Sequence, residues 1–316
     1  MNKLISVIIP TIEPEKYLSS LFRTFRDIKT DMFEIIIINQ SGEALSDQIV
    51  KDINVDLTDH ILTHRVPAAN ARNLGASLAK GEYLFFLDDD AFIYSDKESV
   101  LELPQIIVSN IPDVIIFNRG EMVDDKYVSH WPNNFSILTL GNFPRFVIEW
   151  NIMIKKDEFM QLGGFPEIGQ GSSHAALSGE VFVLMAKIIG ANLSVQLCPS
   201  VWIEHPGLFE KPKSTEMALG YTYGAGYAVG LSLVSMKLKW KIYWFARVLF
   251  ASLADIFFRE DGEQIRVIEE INKKAYRKGL SKCRLTGFFD AIMNRPPKSV
   301  SWLHDKSEKI IGGPNI

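Results

Sequence analysis

Short apolar runs alternate with amphipathic stretches over roughly the first 90 residues, an order typical of β-α-β units. The pattern predicts strands at residues 4–9, 33–38, 61–66 and 82–87, and helices at residues 15–28, 43–51 and 68–80. The first strand ends at Pro10, and the third helix ends at Gly81, a residue type that commonly terminates helices. We therefore expect an α/β fold with a mostly parallel sheet in this part of the chain.

The middle of the chain is less regular, and its end is mainly helical. We expect strands or extended segments at residues 113–118, 146–154, 193–197 and 201–204, loops at 124–142 and 163–178, and a helix at 179–189. From residue 211 onward helices dominate, including a charged surface helix at 263–278 and a loosely ordered tail at 295–316.

One C-terminal segment combines basic and apolar residues. Residues 237–241 read KLKWK, and the apolar run 242–258 that follows is interrupted by Arg247 and Asp255, so it is too short and too charged to predict a membrane span. On a helix, one side carries Ile242, Phe245, Ala246, Leu249, Leu253 and Ile256. Two interpretations stay open: a helix lying on an anionic membrane surface, and a helix packed on the protein core.

Composition narrows the class of protein. The length of 316 residues suits one large or two modest domains. A content of 47% hydrophobic and 23% charged residues is typical of globular proteins. Only two cysteines are present, Cys198 and Cys283, which excludes a disulfide framework and a Cys-rich zinc module. The net charge of −4 disfavours an electrostatic grip on nucleic acid. The N-terminus lacks the pattern of a secretory signal, so we expect a cytoplasmic protein.

The triplet Asp88-Asp89-Asp90 is the sharpest candidate for chemistry. It follows an apolar strand, at the sheet edge where open α/β folds bind ligands. Side chains alternate along a strand, so Asp88 and Asp90 can point to one side, where their charges repel unless a cation is shared. Mg²⁺ or Mn²⁺ bound together with substrate phosphates fits this arrangement. The alternative is a solvated acidic turn with capping aspartates.

Three weaker candidates lie elsewhere. Arg72 and Asn73 stand near the start of a helix, where an anion is favoured, although by spacing alone a surface arginine with a capping asparagine is the simpler interpretation. Glu180 opens an apolar helix after a glycine-rich loop and is either a general base or a first-turn glutamate stabilised by the helix dipole. His205 becomes a metal ligand only if folding brings it beside the aspartate triplet.

These segments, in this order, resemble the family 2 glycosyltransferases with the GT-A fold, in particular bacterial enzymes of cell-surface polysaccharide assembly. The matching stretches are SVIIPT at 6–11, EIIIINQS at 34–41, ANARNLG at 69–75, GEYLFFLDDD at 81–90, GGFPE at 163–167, SGE at 178–180, EHP at 204–206 and YGAGYAVG at 223–230. The resemblance implies a GT-A-type, Rossmann-like, mostly parallel central sheet flanked by helices. It also implies a glycosyltransferase domain over 1–232, with a nucleotide-sugar half at 1–118 and an acceptor half at 119–232, followed by a helical extension at 233–316.

The resemblance further implies an inverting, metal-dependent hexosyltransferase that uses a nucleotide-diphospho-sugar donor and a glycan or lipid-linked glycan acceptor. The implied nucleotide-sugar residues are Pro10, Thr11, Glu13, Asn39, Arg72, Asn73, Asp88 and Asp89. Asp88, Asp90 and His205 would hold Mn²⁺ or Mg²⁺, and Glu180 would be the catalytic base. A lipid-linked acceptor would bring the helical extension to the inner face of the cytoplasmic membrane.

Two departures from the family pattern keep alternatives open. Val181 follows Glu180 where the family usually has aspartate, and Asn39 replaces an aspartate that contacts the nucleotide base. A non-catalytic scaffold or regulatory subunit with the same fold is therefore one alternative. A sugar-phosphate nucleotidyltransferase is another, although residues 10–13 lack the glycine-rich, arginine-containing loop expected there.

Overall fold

The chain forms two compact units. The computed structural model describes residues 4–25, 31–51, 53, 55–94, 111–123, 126–129, 138–169, 171, 174–205, 214–257 and 273–311. Unit 1 comprises Met1–Phe165 with Ala191–Gly207, and unit 2 comprises Pro166–Gly190 with Leu208–Ile316. Much of the predicted surface helix at 263–278 lies outside the described residues. The division into a glycosyltransferase domain over 1–232 and a helical extension over 233–316 stays a prediction.

A mixed sheet is the framework of unit 1. Within the described residues its strands are β1 (Ile5–Thr11), β2 (Phe33–Asn39), β3 (Asp56–Ile61), β4 (Tyr83–Phe86), β5 (Phe92–Tyr94), β6 (Val114–Val123), β7 (Lys126–Ser129), β8 (Ile152–Lys155) and β9 (Val195–Glu204). Their order is β3-β2-β1-β4-β8-β6-β9-β5, and β7 pairs with β6. The described helices of unit 1 are α1 (Pro14–Phe25), α2 (Asp47–Val50), α3 (Ala68–Leu78) and α4 (Lys156–Gln161).

The N-terminal half of the sheet is parallel, as predicted. Strand β1 runs parallel to both β2 and β4, and β2 runs parallel to β3. Strand β2 is buried along its whole length, which explains its continuous apolar run. The helix predicted at 43–51 is wrong in extent and covers only Asp47–Val50, because side-chain hydrogen bonds of Asn39 and Ser41 hold residues 39–43 in a turn.

The second half of the sheet mixes strand directions, so the mostly parallel description fits only the first half. Strand β8 is antiparallel to both β4 and β6, β9 is parallel to β6, and β5 is antiparallel to β9. The two strands predicted at 193–197 and 201–204 are one strand, β9, with a register shift against β6. The extended segment predicted at 146–154 is a strand only over Ile152–Lys155, and strand β7 lies within the predicted loop at 124–142.

Unit 2 is helical. Its described helices are α5 (Glu180–Gly190), α6 (Thr215–Ser232), α7 (Leu238–Phe257), α8 (Lys273–Ile292) and α9 (Val300–Ile311). The glycine-rich stretch 223–230 lies in α6 and serves packing: a Cβ on Gly226 would collide with the Arg284 carbonyl of α8, and one on Gly287 with the Tyr223 carbonyl of α6. The loosely ordered tail predicted at 295–316 is wrong for Val300–Ile311, because Leu303 anchors that helix in the core of unit 2.

Helix α7 buries the side opposite to its apolar side. Its buried residues are Trp244, Val248, Ser252 and Asp255. The Asp255 carboxylate is neutralised there by Arg284 of α8, at 2.9 Å. The apolar side predicted from the sequence is largely solvent-exposed, so the core-packing interpretation is wrong for that side. Among the helices of the described residues, none is both long enough and apolar enough to cross a bilayer.

Candidate functional site

Strand register brings the aspartate triplet to the carboxyl edge of the sheet beside β1. Ile8 of β1 pairs with Phe86 of β4. Because the two strands are parallel, the residues three positions later in each of them are also neighbours. Thr11 and Asp89 occupy those positions, and the Thr11 hydroxyl donates to the Asp89 carboxylate at 2.5 Å. The turn that carries the triplet is thereby fastened to the neighbouring strand.

The short strand β5 follows the triplet directly and pairs with β9. Phe92 pairs with Glu204 in antiparallel register, which places His205 beside the residues just before Phe92. The His205 Nε2 lies 2.9 Å from Asp90 Oδ1 and 3.5 Å from Asp88 Oδ2. One ligand atom from each of the three residues lies within 4.8 Å of the others. Two carboxylates and an imidazole form a donor set that suits Mn²⁺, and the two carboxylates alone suit Mg²⁺.

Arg72 reaches the same cluster from helix α3. Its guanidinium contacts the Asp88 carboxylate at 2.5 Å, and the residue is only 5% exposed. Arg72 is therefore a buried partner of the triplet, and the surface-arginine interpretation is wrong. Burial alone would raise the pKa of Asp88, but the Arg72 charge and the hydrogen bond from His205 lower it to about 2. Asp88 therefore stays ionised under any physiological condition.

In the other titratable groups of the cluster, burial and hydrogen bonding shift the pKa in opposite directions. Burial alone would lower the pKa of His205, but its hydrogen bonds to Asp88 and Asp90 raise it to about 10. Burial raises the pKa of Asp89 to about 6, against the Thr11 hydrogen bond, which lowers it. The carboxylates of Asp88 and Asp90 thus stabilise a positive charge on His205. A position where negative charge favours a cation is what a metal site requires.

Glu149 and Trp150 also belong to this site, with Asn151 next to them in the chain, and sequence reasoning missed them. The Trp150 ring stacks on His205 with 5.3 Å between centroids and 15° between planes. Burial raises the pKa of Glu149, which feels the charges of Arg72, Asp88 and His205. Asn151 is fully buried and donates to the carbonyls of Phe117 and Phe146. The available signal was a polar residue pair around a tryptophan within the apolar segment 146–154.

Two predicted donor-binding asparagines use their amides to shape loops. Asn39 is fully buried, and its Nδ2 donates to the Glu43 carbonyl at 2.8 Å and to Asp59 Oδ1 at 3.0 Å. Asn73 donates to the Phe165 carbonyl at 2.8 Å and accepts from the Phe165 amide at 3.0 Å. Both side chains thus fix backbone near the sheet edge, and a direct contact of either with the donor stays a prediction.

The remaining residues predicted for the nucleotide site, Pro10 and Glu13, differ in burial and contacts. Pro10 precedes Thr11 at the carboxyl end of β1, where it pairs with Ile38 of β2. The Glu13 side chain is exposed and bonds to Lys16 at 3.4 Å. Of the predicted residues, those that the structure brings into contact are Thr11, Arg72, Asp88, Asp89, Asp90 and His205.

Glu180 lies in unit 2 as the first residue of α5. It is 3% exposed, and its carboxylate lies against Gly169, where a Cβ would overlap it. Gly169 has a φ of +103°, a backbone conformation that favours glycine. The glycine-rich loop before α5 therefore makes room for the carboxylate. A buried carboxylate held in this way can accept a proton from a bound hydroxyl group.

Comparisons with known proteins agree with this architecture. The chain is 32% identical over 220 residues to the glycosyltransferase GlyG of Streptococcus pneumoniae, covering 62% of this chain and 71% of GlyG. The structure of Staphylococcus aureus TarS 1–349 in complex with UDP-GlcNAc matches with a TM-score of 0.58 at 16% identity, covering 92% of each chain. The Pyrobaculum calidifontis mannosyltransferase PcManGT, in complex with GDP-Man and Mn²⁺, matches with a TM-score of 0.54 at 13% identity, covering 94% of this chain and 89% of its own.

The fold is therefore of the GT-A type that these enzymes share. The sequence model of "Glycosyl transferase family 2" matches residues 6–177, a span that contains the Asp88–Asp90 triplet and ends just before Glu180. Because that match covers more than half of the chain, the resemblance inferred from the motifs is confirmed: the protein belongs to glycosyl transferase family 2.

Proposed function

We propose that this glycosyltransferase is an inverting, metal-dependent hexosyltransferase of cell-surface polysaccharide biosynthesis. The observation that carries the proposal is the cluster of Asp88, Asp90 and His205, whose ligand atoms lie within 4.8 Å of one another at the carboxyl edge of the sheet. A family 2 enzyme with such a cluster has the donor set for a cation that binds a diphosphate. Donor binding belongs to residues 1–118 and acceptor binding to residues 119–232 in this proposal.

The donor is a nucleotide-diphospho-sugar. Asp88, Asp90 and His205 would hold Mn²⁺ or Mg²⁺, which, when bound, supplies positive charge to the departing diphosphate. Arg72 keeps Asp88 ionised and adds a second buried positive charge. Two fold neighbours support this choice of ligands, since one was solved with UDP-GlcNAc and the other with GDP-Man and Mn²⁺. Pro10, Thr11, Glu13, Asn39, Asn73 and Asp89 complete the proposed nucleotide-sugar site.

Glu180 is the proposed catalytic base. Its carboxylate takes the proton of an acceptor hydroxyl group while the hydroxyl oxygen attacks the anomeric carbon of the sugar. The bond between that carbon and the diphosphate breaks, the nucleoside diphosphate leaves with the bonding electrons, and the anomeric configuration inverts. The burial of Glu180 supports this role, because a desolvated carboxylate is a better proton acceptor than a hydrated one.

The acceptor in this proposal is a glycan or a lipid-linked glycan. One relative is the poly(ribitol-phosphate) β-N-acetylglucosaminyltransferase TarS of Staphylococcus aureus, and its name describes an enzyme that acts on a polymer. A lipid-linked acceptor puts the reaction at the inner face of the cytoplasmic membrane. The exposed apolar side of α7 supports that location.

Release of nucleoside diphosphate tests the proposal. The protein is incubated with a panel of UDP-, GDP- and dTDP-sugars and Mn²⁺, with and without chelator, and nucleoside diphosphate is measured. Glu180→Gln should abolish transfer while donor binding persists, because only the proton acceptor is lost. Asp90→Asn should weaken metal-dependent nucleotide binding. The exposed positions Glu82→Gln and Asp157→Asn are the matched controls and should behave as the parent protein.

Three outcomes contradict parts of the proposal. Turnover retained in Glu180→Gln would show that another group is the base. If a chelator does not change nucleotide binding, the proposed metal dependence is wrong. If no donor is hydrolysed, and no nucleotide with metal raises the melting temperature, the chain is a non-catalytic member of the family.

A further inference from the structure

Helix α7 exposes a continuous apolar side along its whole length. We call this the docking face: Leu238, Ile242, Phe245, Leu249, Phe250, Leu253 and Phe257, each between 37% and 72% exposed. At 100° per residue these positions fall within an arc of about 140°. The buried residues of the helix occupy a different arc. At the margin of the docking face, Phe245 also packs on Phe288 of α8, with 5.7 Å between ring centroids. Exposed large apolar side chains that cluster in this way mark an interaction surface.

The exposed charges of the helix are all positive. Lys239 and Arg247 are exposed and Lys241 is half-buried, and they follow Lys237 just before the helix begins. The one acidic residue of the helix, Asp255, is buried and paired with Arg284. An apolar face whose charged neighbours are cations complements an anionic surface. A second copy of the same face would bring like charges together, which disfavours self-association through it.

The N-terminal half of α7 also carries an aromatic and cationic cluster. The rings of Trp240 and Tyr243 lie 5.5 Å apart, and those of Tyr243 and Trp244 lie 5.4 Å apart. The Lys239 ammonium lies 5.5 Å from the Trp240 ring centre, and the Arg247 guanidinium lies 5.5 Å from that of Trp244. Trp244 is buried, whereas Trp240 and Tyr243 are half-buried and Lys239 and Arg247 are exposed. Tryptophan and tyrosine beside lysine and arginine are the residue types enriched where a protein meets the headgroup layer of a bilayer.

A cavity continues this surface at the other end of the helix. It has a volume of about 570 Å³ and lies between the end of α7 and helix α8. Ile256, Leu285 and Phe289 form apolar walls, and Lys278, Lys282 and Arg295 add positive charge. Asp290, which also lines it, is bonded to the Tyr223 hydroxyl. Apolar walls with cationic side chains are suited to the glycerol and phosphate region of an anionic lipid.

We propose that the docking face lies on an anionic phospholipid bilayer, with the axis of α7 parallel to the membrane plane and its apolar side chains in the headgroup boundary. The cations at either end of the helix would then contact lipid phosphates. The choice of the cytoplasmic leaflet rests on the proposed function, in which the acceptor is lipid-linked. The binding itself depends on no catalytic residue, so it can be tested without turnover.

Vesicle sedimentation with the full chain tests the proposal. Vesicles of phosphatidylcholine alone are compared with vesicles that contain about 30% phosphatidylglycerol, at low and high salt. The parent protein should bind the anionic vesicles at least ~10-fold more tightly, and salt should weaken the binding. Phe250→Ser/Leu253→Ser should weaken it ~100-fold, since two large exposed apolar side chains lose their place in the boundary. Lys239→Glu should weaken it about 10-fold.

Matched controls lie on unit 1. Leu78→Ser/Met160→Ser removes two exposed apolar side chains elsewhere, and Lys51→Glu changes the net charge as Lys239→Glu does. Both should bind vesicles as the parent protein does. Nucleoside diphosphate release, measured on the same samples in solution, reports folding and the proposed function separately from membrane binding.

Several results would overturn the proposal. One is failure of the parent protein to sediment with anionic vesicles while it still releases nucleoside diphosphate. Another is equal loss of binding in the docking-face variant and its control. A dimer in solution that dissociates in Phe250→Ser/Leu253→Ser would assign the face to a second copy of the chain instead.

Discussion

Replacing Gly169 with alanine should displace the Glu180 carboxylate and leave the proposed donor-binding residues of unit 1 unchanged. An ideal Cβ on Gly169 overlaps that carboxylate, so the carboxylate has to withdraw by about 2 Å to reach an ordinary van der Waals distance. A side chain at a φ of +103° costs a further ~1–2 kcal/mol of folding free energy. A well-placed general base contributes about 10²–10⁴-fold to a rate.

We therefore expect Gly169→Ala to lower the transfer rate ~100-fold or more, with donor affinity unchanged and the free energy of unfolding reduced by about 1–2 kcal/mol. Gly42→Ala is the control for backbone strain, because Gly42 has a φ of +85° and open space around its Cβ position. It should lose similar stability and keep its transfer rate. Steady-state kinetics at saturating donor and urea unfolding measure the two effects. If the two variants transfer sugar equally fast, the reasoning about Glu180 is refuted.

Two further predictions concern buried groups away from the proposed site. Glu34 is 1% exposed and accepts hydrogen bonds from the Ser6 hydroxyl and from the amides of Lys80 and Gly81, so Glu34→Gln should lower the free energy of unfolding by about 1–3 kcal/mol. The exposed control Glu82→Gln should change it by less than ~0.5 kcal/mol, and equal urea midpoints for the two would contradict the role of Glu34. Burial raises the pKa of Cys283 to about 12, so at pH 8 only about one thiol in 10⁴ is ionised. Iodoacetamide should therefore leave Cys283 unmodified in the native protein and label it after denaturation, as read by mass spectrometry; labelling without unfolding would show that the thiol is accessible.

Strands β1, β2 and β4 of the parallel half were predictable because a continuous apolar run marks each of them. Strand β3 has the sequence DLTDHI and no such run, and it lies at Asp56–Ile61 and not at the predicted 61–66. The antiparallel half was not predictable, because its pairing depends on contacts between distant segments. Strand β5 has three residues and no distinctive pattern, yet its pairing with β9 decides where His205 lies. The family resemblance supplied His205 as a metal ligand, whereas spacing alone left its role open.

Burial on helix α7 shows a second limit of sequence reasoning. Periodicity identified the apolar side of this helix but could not tell whether that side meets the core or the solvent. The buried side contains Ser252 and Asp255, which read as surface residues until the partner Arg284 is known. In the same way, the stacking of Trp150 on His205 joins segments 55 positions apart, and each looks ordinary alone.

The pairing of β5 with β9 has a consequence for how the three proposed metal ligands come together during folding. Asp88 and Asp90 are synthesised more than 100 residues before His205, and the imidazole reaches them only after β9 has entered the sheet between β6 and β5. Contacts of such sequence separation form slowly, since a long loop must close first. The complete ligand set is therefore a late product of folding, and the N-terminal 118 residues on their own contain just two of its three members.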